Sequence, residues 1–121
     1  MRKGDDLALV DEDTPVTEAI NRMTRARAGA VVVTNAEGLL AGIFTQGDFV
    51  RAFEGGNPDI GAKPVGELMT AHPIHVKEDQ LVGEVLRTLE ESRIDDLIVV
   101  NKAGEPVGMI DTQDLTRLQV V

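Results

Sequence analysis

The chain has no cysteine, no tryptophan and no tyrosine, and only three phenylalanines. The missing cysteine excludes disulfides, thiol nucleophiles and cysteine-ligated zinc, and it suits a reducing cytosol, so a cytoplasmic location is expected. With so few aromatics the core has to be built from Val, Leu, Ile, Ala and Met. Cations are also scarce: 12 Lys and Arg stand against 21 Asp and Glu, a formal net charge of −9. A protein this acidic has no electrostatic case for gripping a nucleic-acid backbone. Arg22, Arg25 and Arg27 read as the solvated face of a helix. No apolar run approaches a membrane span and no signal-peptide pattern opens the chain, so neither nucleic acid nor membrane is an expected partner. There is no nucleophile–base constellation, no metal cluster and no Walker-type phosphate loop, so no catalysis is expected of these residues.

What is present is order. The 121 residues suffice for one compact domain with its own core. Met1 leads into Arg2-Lys3-Gly4-Asp5-Asp6, which reads as linker and predicts a piece cut from a longer protein. Leu7 to Val10 ends in a strand. Thr14-Pro15 predicts a helix start, with Thr14 as N-cap and Pro15 at the first helical position. Val16, Ala19, Ile20 and Met23 share one face of that helix. Ala30 to Val33 is a buried strand, Asn35-Ala36-Glu37-Gly38 a turn, Leu39 to Phe44 a return strand, and Thr45 to Phe53 a helix.

The same order recurs downstream: a strand over Pro73-Ile74-His75-Val76, a helix from Leu81 to Ser92, a buried strand from Leu97 to Val100, the turn Asn101 to Gly104, and a return strand from Val107 to Ile110. Asp111 then opens a last helix. The register holds without a gap, since Asn35 and Asn101, Gly38 and Gly104, Gly42 and Gly108, and Asp48 and Asp114 all differ by 66 (for example 114 − 48). This predicts an α/β fold of two strand-helix-strand-strand-helix units packed about a pseudo-twofold axis. The expected boundaries are 1–53 for the first unit, 54–72 for a connector and 73–121 for the second. Within the connector, Val65, Leu68 and Met69 are expected in the core, as are Met23 and Met109.

Two junctions carry the chemistry: Gly42-Ile43-Phe44-Thr45-Gln46-Gly47-Asp48 and Gly108-Met109-Ile110-Asp111-Thr112-Gln113-Asp114. A strand passing directly into a helix turns free backbone N–H groups and the positive helix end outward. A hydroxyl there suits a phosphate, and a carboxylate one turn on suits ribose hydroxyls. Thr-x-x-Asp is also close to a helix capping box. On its own the pattern favours capping; its duplication shifts the balance towards a binding site.

Val65-Gly66-Glu67-Leu68-Met69-Thr70-Ala71-His72-Pro73, followed by a strand and a helix, resembles the opening of a CBS domain. The two Gly-x-x-x-x-x-Asp junctions resemble the nucleotide motif of that family, and the likeness covers nearly the whole chain. It implies a tandem CBS pair, or Bateman module, with two clefts. A narrower likeness links Met1 to Leu7, the first junction, Asp114-Leu115-Thr116-Arg117 and Val120-Val121 to the C-terminal CBS region of arabinose 5-phosphate isomerases. It departs from those enzymes at Gln46 and Val50, where Asp and Arg are expected, and at Asp111, where His is expected. A catalytic sugar-isomerase domain precedes the CBS pair in that family, so the resemblance implies that this chain is the regulatory end of such an enzyme.

Carried over residue by residue, the resemblance implies that Thr45 takes the phosphate and Asp48 the ribose. The base would lie near Ala28-Gly29-Ala30, and Arg51 would add charge or simply be an exposed helix residue. Asp114 keeps the second ribose position, but Asp111 replaces the hydroxyl. Two unit charges about 4 Å apart at an effective dielectric near ~20 repel by roughly 4 kcal/mol. That weakens binding by roughly three orders of magnitude, so one competent cleft is expected. Asp95-Asp96 would make the second cleft more acidic still. His72 and His75 could serve a metal, though loop and strand polar roles are commoner.

The implied ligand is an adenine nucleotide (AMP, ADP or ATP) or a CMP-linked sugar, and the implied assembly a homodimer formed through the CBS pairs. The competing function is a purely structural dimerisation module in which Thr45 and Asp48 only cap a helix.

Overall fold

The structure, a computed structural model, describes residues 4–56, 58–80, 87 and 96–111. A 3₁₀ turn over Gly4–Asp6 leads into β1 (Leu9–Asp11), α1 (Val16–Ala26), β2 (Ala30–Thr34), β3 (Leu40–Thr45) and α2 (Gln46–Glu54). The connector carries a second 3₁₀ turn, Ile60–Ala62, then α3 (Val65–Leu68) and β4 (Thr70–Ala71). The second unit contributes β5 (His75–Lys77), β6 (Asp96–Val100) and β7 (Pro106–Asp111). Of the helix expected from Leu81 to Ser92 only Arg87 is described, and it is helical; the rest of it and the helix expected beyond Asp111 lie outside the described residues.

Two sheets result, of strand order β1-β2-β3-β4 and β5-β6-β7. The 66-residue offset is reproduced bond by bond. In the first sheet Ala30 pairs with Thr45, Val31 with Phe44, Val32 with Ile43 and Val33 with Gly42. In the second, Asp96 pairs with Asp111, Leu97 with Ile110, Ile98 with Met109 and Val99 with Gly108. The same irregularity falls after Val33 and after Val99. The parallel pairs match too, Val10 with Val33 and Val76 with Val99. Both turns are built alike. Asn35 Oδ1 accepts from the Glu37 and Leu39 amides, and Asn101 Oδ1 from those of Ala103 and Glu105. Gly38 and Gly104 sit at φ 81° and 91°, the left-handed region where a Cβ is penalised.

Strand β2 is buried on both faces, and its alternation separates two cores. Val31 and Val33 pack with Ala19 and Met23 of α1, Phe44 and Val65. Ala30 and Val32 point the other way and meet Ile98, Val100 and Met109 between the sheets. Leu97 and Val99 face outward with Val76, as their counterparts do in the first sheet. The two units also share a hydrogen bond, from the Leu40 amide to the Gly104 carbonyl at 3.0 Å. Its mate across the pseudo-axis would need an N–H at residue 106, which is Pro106 and has none. Met23 and Met109 are buried, while Leu68 and Met69 are partly buried against the first core, with Val65 at its centre.

Several boundaries differ from expectation by one or two residues. Helix α1 starts at Val16, one residue later than predicted, with Pro15 as N-cap and no side-chain cap. Thr14 does not cap it; its hydroxyl donates to Asp11 Oδ1. The reason is tertiary: the Lys63 carbonyl accepts the Val16 amide at 2.9 Å, so the docked connector does the work of a cap. Strand β5 begins at His75 and not at Pro73, which has no N–H for a ladder. Asp111 closes β7.

Candidate functional site

Thr45 is both the last residue of β3 and the N-cap of α2, with extended backbone at φ −110° and ψ 165°. Its Oγ1 accepts the Asp48 amide at 3.0 Å, and its own amide donates to Asp48 Oδ2 at 2.9 Å. The capping box is therefore fully formed.

Capping does not exhaust the arrangement. Asp48 is only 8 % exposed, the one buried polar or charged side chain among the described residues. A buried carboxylate is tolerated only where its oxygens are well supplied with donors. Oδ1 receives two further groups: Arg51 Nη2 at 2.7 Å and the Thr70 hydroxyl at 3.3 Å. The Arg51 side chain is 71 % exposed, so this ion pair joins a buried anion to a solvated cation. The guanidinium lies over Gly47, where an added Cβ would stand 3.3 Å from Arg51 Nη1 and 3.5 Å from Thr45 Oγ1. Hydroxyl, guanidinium and the first turn of α2 thus meet at one corner.

The register brings Gly29 and Ala30 to the same corner. Ala30 pairs with Thr45, and the Gln46 amide donates to the Gly29 carbonyl at 3.0 Å. Gly29 faces open space, whereas the Ala30 side chain is 1 % exposed and belongs to the core between the sheets. Only the main chain of Ala30 is available there.

Thr70 is the residue that reading the sequence missed. It lies 22 residues from Asp48 and reaches it because β4 pairs with the edge of β3, Thr70 opposite Ile43 and Ala71 opposite Gly42. The signal was Gly42. A Cβ there would run into the Met69 side chain and stand 2.8 Å from the Thr70 carbonyl oxygen. Gly42→Ala is accordingly expected to cost about 1–3 kcal/mol in a urea melt, since backbone has to move to admit the methyl group. A change below about 0.5 kcal/mol would show that β4 does not need this close approach.

At the second corner Asp111 stands opposite Asp96, in the register of Thr45 opposite Ala30. Two acids replace a hydroxyl and a methyl group. Asp95 and Asp114 lie outside the described residues. His72 and His75 line a cavity of about 300 Å³ with Leu39, Leu40 and Val100, at the opposite end of β3 from Thr45. Among the described residues no group of three or more His, Asp or Glu is placed to hold a metal ion, and no helix is long and apolar enough to cross a membrane.

A family model for the CBS domain matches residues 1–55 and 65–120. The chain belongs to the CBS domain family. This CBS pair is 37% identical, over all 121 residues, to arabinose 5-phosphate isomerase KdsD of Pseudomonas aeruginosa and spans 37% of that protein's length. Among solved structures it resembles CBSX2 of Arabidopsis thaliana in complex with AMP, at TM-score 0.84 and 23% identity, covering 99% of this chain and 92% of the other. It also resembles the cytosolic domain of the Mg2+ channel MgtE in complex with ATP, at TM-score 0.78 and 24% identity, covering 98% of this chain and 46% of the other. These likenesses show the fold, a tandem pair of CBS repeats.

Proposed function

We propose that this CBS pair is a nucleotide-sensing regulatory module, the non-catalytic part of an arabinose 5-phosphate isomerase-type protein. The observation that carries the reading is the buried Asp48 carboxylate, held at a corner where a hydroxyl and a guanidinium converge. Thr45 takes the phosphate, Asp48 the ribose, Arg51 adds charge beside Thr45, and the backbone of Gly29 and Ala30 borders the base. Asp114 keeps the second ribose position, but the Asp111 charge leaves that cleft without a phosphate ligand. The ligand is an adenine nucleotide or a CMP-linked sugar, and the assembly is a homodimer. The unit boundaries are 1–53, 54–72 and 73–121. The likeness to KdsD over the whole chain, together with AMP and ATP in two structural neighbours, supports this reading.

A second reading, a purely structural dimerisation module, is favoured by one fact: Asp48 already has three donors without any ligand. Thermal unfolding with AMP, ADP, ATP, CMP and a CMP-linked sugar separates the two. A ligand at 100 times its Kd adds about 2.7 kcal/mol to the folded state. For a domain of this size that is a Tm rise on the order of 10 °C. One site per chain is expected by calorimetry. An unchanged Tm across the whole panel leaves only the structural role.

A further inference from the structure

Asp48 Oδ1 accepts from two groups, Arg51 Nη2 at 2.7 Å and the Thr70 hydroxyl at 3.3 Å. A carboxylate oxygen has two lone pairs, so this one is fully engaged. Oδ2 accepts the Thr45 amide at 2.9 Å within the capping box. Of the two oxygens, Oδ1 is the one joined to the exposed Arg51 side chain. A ribose hydroxyl that donates to Oδ1 therefore has to take the place of Arg51 or of Thr70.

The two donors are not equivalent. Thr70 is fixed by its strand, with β4 pairing Thr70 opposite Ile43, and its hydroxyl carries no charge for a phosphate to attract. Arg51 ends a long, exposed stem and has five N–H donors. Its guanidinium lies over Gly47, where an added Cβ would stand 3.3 Å from Arg51 Nη1 and 3.5 Å from Thr45 Oγ1. Without that Cβ, a short swing across Gly47 carries the guanidinium from the carboxylate to a phosphate seated at Thr45, which it can grip with two N–H groups. An ion pair to an exposed cation is weak, so little opposes the move. A nucleoside brings the ribose hydroxyls but no phosphate. It leaves the displaced guanidinium with water alone.

We infer that Arg51 is an exchangeable latch, which gives up Asp48 Oδ1 to the ribose and takes the phosphate instead, so that the corner selects nucleotides against the matching nucleosides. This rests on the nucleotide reading above and adds how that site discriminates. The test uses matched pairs, AMP with adenosine and CMP with cytidine, titrated by calorimetry into the full chain. Arg51→Met keeps much of the stem and removes charge and donors together. It is expected to bind the nucleoside about twofold to fivefold more tightly, since nothing has to be displaced. It should bind the nucleotide about tenfold more weakly, since the phosphate loses its cation. The position is exposed, so the variant is expected to fold, with its far-UV spectrum unchanged. If it did not fold, Arg51→Gln would decide, with changes in the same two directions. Thr70→Val, which frees the other lone pair of Oδ1, is the control. A nucleoside gain in Thr70→Val with none in Arg51→Met assigns the exchange to the hydroxyl and overturns the proposal. A change confined to the nucleotide makes Arg51 an ordinary phosphate ligand that bridges to Asp48, and overturns the latch while the nucleotide reading stands. Equal weakening of nucleotide and nucleoside does the same, since it makes Arg51 a structural support. If neither member of either pair binds wild type or variant, the latch and the nucleotide reading fall together.

Discussion

Asp48→Ala is expected to lower the free energy of unfolding by about 2–4 kcal/mol, measured by urea denaturation at neutral pH. Three groups lose their acceptor at once: the Thr45 amide, the Thr70 hydroxyl and the Arg51 guanidinium. Arg51 turns to water at little cost because it is largely exposed. Thr70 is exposed, so its hydroxyl can also turn to water; the Thr45 amide sits at the partly buried junction of β3 and α2, where an unmet donor is expensive. Asp48→Asn separates charge from shape. It retains a carbonyl oxygen for the Thr45 amide and loses the ion pair, so a loss of about 1 kcal/mol is expected. On the proposed function both variants also bind the nucleotide at least about tenfold more weakly, since a charged acceptor for the ribose is gone. An Asp48→Ala variant as stable as wild type would mean that the buried network is not what holds the corner together. A stable variant that bound ligand normally would remove Asp48 from the site.

Phe44→Ala should have a still larger effect, about 3–5 kcal/mol. Phe44 is fully buried, pairs with Val31 across the first sheet, and packs in one cluster with Met23, Val33 and Val65. The chain has three phenylalanines, and the other two, Phe49 and Phe53, stack on each other at 6.1 Å between ring centroids on α2. Domains of this kind are stable by about 5–15 kcal/mol in all, so the variant is expected to be partly unfolded at 37 °C. Phe53→Ala is the control: its side chain is 66 % exposed, and its loss should stay within about 1 kcal/mol. Equal effects from the two substitutions would contradict the assignment of Phe44 to the core.

Several parts of this outcome were readable from residue types alone. The offset between Asn35 and Asn101, or Gly38 and Gly104, names the same turn twice, because an Asn that holds two amides and a glycine at positive φ are local requirements. The capping geometry of Thr45 and Asp48 was also legible, being a contact between residues three apart. Less was visible wherever a partner came from far along the chain. Thr14 looked like the cap of α1, but the acceptor for Val16 is the Lys63 carbonyl, supplied by a connector that no local pattern could place. Arg22, Arg25 and Arg27, read as a solvated face, are all exposed, because helical spacing alone shows which side chains share the outer face.

By itself, then, the sequence determined the duplicated α/β unit, its two buried central strands and the helix-opening corner, since these follow from side-chain alternation, turn chemistry and capping within short windows. Only the tertiary structure decided that Asp48 is buried and that Thr70 reaches it through β4. The physical reason is that burial and charge convergence depend on how sheets, helices and the connector pack, and packing joins residues whose separation along the chain carries no periodic signal.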